Sequence, residues 1–238
     1  MVRMLVALAC YGAFFATFLY LIAFTLDLPQ VAVTVNRGAP PTGMGLAVAI
    51  DLALIALFGV QHSVMARPAA KAWLTNLVPA SLERSLFVLA SSAALVVLFA
   101  QWRPIPGLCW QVDGAAGQVL LALGLAGWGI VLISTFLLNH FELFGLAQAW
   151  RGDIGGKATF RTPLFYRWVR HPIYTGFLLA LWAAPEMSAS RALLALGLTV
   201  YVFIGIAHEE RDLIATFGED YRSYKARVGK LLPGLGRG

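Results

Sequence analysis

The residues able to do chemistry fall in five short clusters. They are Gln61-His62-Ser63, Glu83-Arg84, Asn139-His140-Phe141-Glu142, Arg170-His171-Pro172-Ile173-Tyr174 and His208-Glu209-Glu210-Arg211. All four histidines of the chain belong to this set. Imidazole and carboxylate groups suit proton transfer near neutral pH, and guanidinium groups suit the holding of an anion. Four histidines on separate segments also raise bis-histidine haem ligation. Against it, His171 opens a segment beside Pro172 and His208 adjoins two carboxylates, which suits a buried neutral axial ligand poorly. The two cysteines, Cys10 and Cys109, form no C-x-x-C or Cys/His metal spacing, and no metal site is expected.

The elements that carry these clusters are apolar. Of 238 residues, 59% are hydrophobic and 13% charged, and the mean hydropathy is +0.74. Soluble domains run near 25% charged, so a soluble globular fold and a disordered chain are both excluded. Six apolar segments follow: Leu5–Leu26, Gly45–Ala66, Leu86–Trp102, Val119–Asn139, Ile173–Ala184 and Ala192–Ala207. The expected class is all-α, a polytopic membrane helix bundle of five to six spans. The fifth segment is short for a crossing. Segments five and six read as a helical hairpin with a tight turn at Pro185–Ser190, ahead of a short C-terminal tail. No repeat or linker marks a second domain. The chain reads as one domain over 1–238, with a four-helix membrane part (1–139) and a loop, hairpin and tail (140–238).

Charge gives the orientation. With six segments, 15 of the 18 Lys and Arg residues fall on the side of the termini, leaving Arg37, Arg103 and Arg191 on the other. The positive-inside rule then puts both termini in the cytoplasm. The same rule accounts for the net charge of +6, so no nucleic-acid partner is expected. Polar residues at helix ends are ordinary in membranes. The opposite boundary offers Asp27, Arg37, Arg103, Asp113, Glu186 and Arg191 and no histidine, and this asymmetry favours a polar site in the inner leaflet. Asp51, inside the second segment and far from that side, is expected to be a hydrogen-bonded structural group. Gly124, Gly127 and Gly129 lie inside the fourth segment with no strand before them, so they read as close helix packing rather than a nucleotide loop.

The final third carries a joint pattern. Arg170-His171-Pro172-Ile173-Tyr174-Thr175-Gly176 precedes the hairpin; Glu209-Glu210-Arg211-Asp212-Leu213, Phe217-Gly218, Tyr221, Tyr224 and Pro233 follow it. Across roughly residues 158–233 this resembles the catalytic core of the isoprenylcysteine carboxyl methyltransferase and phospholipid methyltransferase superfamily. GVQHSVMARP (59–68), ERSLFVL (83–89), QWRP (101–104) and NHFELFGLAQAW (139–150) resemble the bacterial methanethiol S-methyltransferase family.

That resemblance implies S-adenosylmethionine as methyl donor, a small thiol as substrate, dimethyl sulfide as product, and a bacterial cytoplasmic membrane as the location. It implies donor contacts at Thr159, Arg161, Tyr166, Arg170, His171, Pro172, Tyr174 and Glu209. Arg170 or His171, with the N–H groups opening segment five, would donate to the donor's carboxylate; Glu209 would accept from its ammonium. His140, Glu210, His62 and His208 are candidate bases for the thiol, and Arg84 or Arg170 a charge to steady a thiolate. The Glu209–Glu210 pair, read as capping segment six at its negative dipole end, is locally costly there and so points to a role. Two alternatives stay open: a methyltransferase of lipid or isoprenylcysteine-like acceptors, and a non-enzymatic haem- or ion-handling membrane protein.

Overall fold

The structure, a computed structural model, describes residues 1–39, 42–152 and 160–238. In a bilayer each backbone polar group must be paired within its own segment, so long apolar runs become helices. In chain order these are α1 (Val2–Thr25), α2 (Met44–Met65), α3 (Pro68–Thr75), α4 (Glu83–Gln101), α5 (Gly114–Leu138), α6 (His140–Leu143), α7 (Leu146–Arg151), α8 (Pro172–Trp182), α9 (Ala189–Phe217) and α10 (Glu219–Arg227). Five of them are long and apolar enough to cross a membrane: α1, α2, α4 with the turn before it, α5 and α9. Strands β1 (Leu108–Gln111) and β2 (Glu186–Ser188) pair as a small sheet. The protein is a multi-pass helical membrane protein, as its composition requires.

The contacts divide the chain into two compact units that alternate along the sequence. The first holds Met1–Cys109, Phe141–Gly156 and Ser188–Gly197. There α4 packs on α1 and α2, and α7 packs on the start of α1. Ala7, Leu82, Leu146 and Ala149 form its buried patch at one end, with the Phe14 and Phe144 rings stacked 4.0 Å apart. At the other end the buried Trp102 indole donates to the Val35 carbonyl and Ser190 Oγ. Asp51 is wholly buried, and its Oδ1 accepts from the Arg103 N–H at 2.8 Å. Its carboxylate thus ties α2 to the chain just past the end of α4.

The second unit holds Trp110–His140, Lys157–Met187 and Leu198–Gly238. Its spine is the pair α5 and α8, and glycine sets their distance. A Cβ on Gly127 would come within 2.6 Å of Ala180 N and Gly176 O, and one on Gly124 within 2.6 Å of Ala183 O. Gly129 faces open space and plays no part in this contact. The pairs 124 with 183, 127 with 180 and 131 with 176 make the helices antiparallel. One turn further on, Thr135 comes level with Pro172.

The same logic fixes α8 against the second half of α9. Trp182 Nε1 donates to Thr199 Oγ1, a Cβ on Gly205 would lie 3.5 Å from the Tyr174 hydroxyl, and His171 meets Glu210. The hairpin is therefore real, but two expectations about it are corrected. Its connection is not a tight turn at Pro185–Ser190: α8 stops at Trp182, and the chain runs extended through β2 before α9 begins at Ala189. Its 11 helical residues rise about 16 Å. By length alone α8 is not among the helices able to cross a membrane. Secondly, the sixth segment does not end at Ala207. The helix continues to Phe217 because Glu209, Arg211, Leu213 and Ala215 are good helix formers, and a fall in hydropathy does not break a helix. Glu209 and Glu210 thus lie inside α9, and the dipole cost assigned to them is absent.

Candidate active site

Glu210 is the hub of the second unit. Arg170 Nε donates to its Oε1 at 2.9 Å, and Arg170 Nη2 lies 2.9 Å from the same oxygen. His171 Nε2 stands 3.2 Å from Oε1 and Lys225 Nζ 3.2 Å from Oε2. The rest of the Arg170 guanidinium is spent on the C-terminal tail: Nη1 donates to the carbonyls of Lys225 and Val228, and Nη2 to that of Gly236. Its side chain is 0% exposed. Removing one partner of a buried pair strands the other charge, at about 3–5 kcal/mol.

Arg170, expected to donate to a ligand carboxylate, here spends its donors on protein acceptors. Two nearby backbone N–H groups are occupied too. Arg170 N–H donates to Gly229 O and His171 N–H to Lys230 O, so the tail lies as a short strand beside residues 169–171. Pro172 opens α8 without an N–H to lose.

Glu209 differs from its neighbour. Its side chain is 46% exposed. His171 Nδ1 lies 3.7 Å from its Oε2, and the Tyr174 hydroxyl lies against its carboxylate. Tyr166 is buried; burial, then the Glu209 charge, pushes its phenol above its ordinary value. Tyr224 donates to the Tyr166 carbonyl, and burial holds the Tyr224 phenol up at about 12 against the pull of Arg170. The structure thus gathers Tyr166, His171, Tyr174 and Glu209 into one cluster, built on Arg170 and Glu210. Arg161 is exposed, next to Phe160, whose ring packs on Phe217, Tyr221 and Tyr224. Thr159 lies outside the described residues.

His140 enters this unit from the end of α5. Asn139 takes φ +113°, which closes the helix and turns the next residue back onto it. The His140 ring is buried and stacks on Phe136 at 4.1 Å, nearly parallel. Its Nδ1 lies 2.8 Å from Thr135 Oγ1. Thr135 spends its one hydroxyl proton on the Leu132 carbonyl, so it can only accept from the imidazole. That assigns the proton to Nδ1 and the basic lone pair to Nε2. Burial lowers the His140 pKa, and the ring is neutral at pH 7. The register of α5 and α8 brings it to the depth of His171.

In the first unit, Ser91 Oγ donates to Phe87 O and lies 3.1 Å from His62 Nδ1, which fixes the same tautomer. Arg84 Nε donates to Leu143 O at 2.6 Å, and its guanidinium lies 4.8 Å over the Phe87 ring. These contacts tie the ends of α2 and α4 to the 141–144 turn.

Three residues escaped the sequence. Thr135 had a signal, a hydroxyl one turn ahead of a helix-terminal histidine. Lys225 had none, because it stands among six basic residues of the tail. Tyr221 stood in the C-terminal pattern with no role given to it, yet it is 2% exposed and its hydroxyl has no partner.

Comparison with known proteins adds names to this geometry. No family model and no solved structure matches the chain. Methanethiol S-methyltransferase 1 of Bradyrhizobium diazoefficiens is 49% identical, over 98% of this chain and 82% of the relative. The methanethiol S-methyltransferase of Pseudomonas deceptionensis is 50% identical, over 86% of this chain and 79% of its own. Nurim of Sus scrofa is more distant, 30% identical over 87% of each chain. Identity near one half across almost the whole length means that this chain belongs to the methanethiol S-methyltransferase family.

Proposed function

We propose that this protein methylates methanethiol, using S-adenosylmethionine as donor and giving dimethyl sulfide. The observation that carries the proposal is the near-full-length identity to proteins named for this reaction. The Tyr166, His171, Tyr174 and Glu209 cluster supports it from the structure. The described residues suit such a donor. Glu209 keeps a half-exposed carboxylate for an ammonium group, and the buried Tyr221 hydroxyl has a proton to give. A bound sulfonium supplies an electrophilic methyl group and leaves as a neutral thioether.

The roles of the chain follow. His140 takes the thiol proton on Nε2 as the thiol sulfur forms its new bond to the methyl carbon and the old carbon–sulfur bond breaks. His140 is preferred over His62 because it shares a compact unit with Glu209 and Tyr174. Glu210, expected as a base, is better read as the fixed counter-ion of Arg170 and Lys225, with each oxygen already accepting. Arg84 and His62 are better read as holding α2 and α4. Alignment of thiol and methyl for in-line transfer supplies much of the acceleration. The single methyltransferase domain and the cytoplasmic position of the cluster belong to the same proposal, the latter on the distribution of basic residues.

Headspace analysis of cells expressing the protein and fed methanethiol tests the proposal, and dimethyl sulfide above vector controls is expected. His140→Asn is expected to cut turnover about 100-fold, and Glu209→Gln to raise the donor concentration needed for half-saturation about tenfold. Wild-type output from both variants would reject the site.

A further inference from the structure

Tyr221 sits in α10, walled by Phe160 (T-shaped, 6.0 Å) and Tyr224 (5.8 Å). It is among the most deeply buried side chains of the protein, and its hydroxyl meets no acceptor. A buried hydroxyl without a partner destabilises a fold, and such groups are rare in native proteins. The neighbouring phenols show the usual solution, since Tyr224 donates to the Tyr166 carbonyl. Tyr221 does not, although Glu210 and Glu209 stand close enough to act on it. Burial first, then those two carboxylates, push its phenol above its ordinary value, so the hydroxyl keeps its proton. It is a fixed neutral donor at the edge of the Tyr166, Tyr174 and Glu209 cluster.

We propose that Tyr221 binds the methyl donor, its hydroxyl donating to an uncharged acceptor, a ring nitrogen or ribose oxygen, on the nucleoside half of S-adenosylmethionine. The inference rests on the function proposed above. An uncharged acceptor fits better than a ligand carboxylate, because Arg170 and Lys225 are already paired with Glu210 and the Glu209 carboxylate remains to repel a second anion. Phe160, the residue that adjoins Arg161, offers its ring beside the same hydroxyl and supplies an apolar wall suited to a nucleoside.

Titration calorimetry and thermal unfolding of the purified full chain in detergent test this, with S-adenosylmethionine and 5′-methylthioadenosine as probes. Methylthioadenosine keeps the nucleoside and lacks the amino-acid half. Tyr221→Phe is expected to weaken binding of both probes about tenfold. The ligand-free variant is expected to melt at or above the wild-type temperature, because it loses only an unpaired group. Unchanged affinity for the two probes overturns the inference, as does loss of affinity for S-adenosylmethionine alone. A lower melting temperature of the ligand-free variant also overturns it, by revealing a partner within the protein. Wild-type protein that binds neither probe rejects the donor assigned under the proposed function instead.

Discussion

At the scale of single residues, chemistry here depends on which atom holds a proton. His140 is prepared by Thr135, whose hydroxyl is turned away by the Leu132 carbonyl and leaves only an acceptor for Nδ1. Burial lowers the folded pKa of His140 below its unfolded value. The unfolded chain therefore binds the proton first, and stability falls as pH drops through the ordinary histidine range near 6.5. Wild-type protein in detergent should lose more melting temperature between pH 7.5 and pH 5.5 than His140→Asn does. Equal losses would show that His140 is not held neutral. The sequence shows Thr135 one turn ahead of His140, but not which way its hydroxyl turns. A tautomer depends on a hydroxyl rotor one turn away, and no motif records it.

At the scale of elements, the C-terminal tail is the surprise. Residues 229–238 look like a loose, glycine-rich end, yet Gly229 and Lys230 carbonyls pair with the backbone of Arg170 and His171, and Leu231 O accepts from Thr175 Oγ1. Gly229 is what allows the turn. A Cβ there would lie 2.0 Å from Leu232 O and 2.8 Å from Gly234 N, both backbone atoms. Gly229→Ala should destabilise the folded protein by about 1–3 kcal/mol and uncover the Arg170 guanidinium. Thermal unfolding combined with limited proteolysis of the tail would measure it, and an intact, equally stable tail would reject this packing. Close helix packing was expected at Gly124, Gly127 and Gly129; the structure gives it to the first two, against α8, and not to Gly129. The two ends of α9 were not legible in the sequence, because hydropathy marks where a helix leaves the bilayer and not where its hydrogen bonds stop.

At the scale of the whole molecule, charge sets topology. Fifteen basic residues against three predict that the turn between α4 and α5 faces away from the cytoplasm. Cys109 on that turn is exposed and Cys10 is buried. A membrane-impermeant maleimide added to spheroplasts should therefore label Cys109 without permeabilisation and leave Cys10 untouched. Labelling of Cys109 only after lysis would invert the topology.

The sequence by itself determined that this chain lives in a bilayer as a bundle of apolar helices, and which family it belongs to. Apolar length, charge asymmetry and linear motifs are properties of neighbouring residues, so they survive without a fold. Only the tertiary structure decided that Arg170 and Glu210 hold each other and the tail while Glu209, one residue away, keeps an exposed carboxylate beside Tyr166 and Tyr174. Adjacent residues on a helix point about 100° apart. Two identical glutamates therefore face different surroundings, and what each can do is set by the side chains that packing brings from distant parts of the chain.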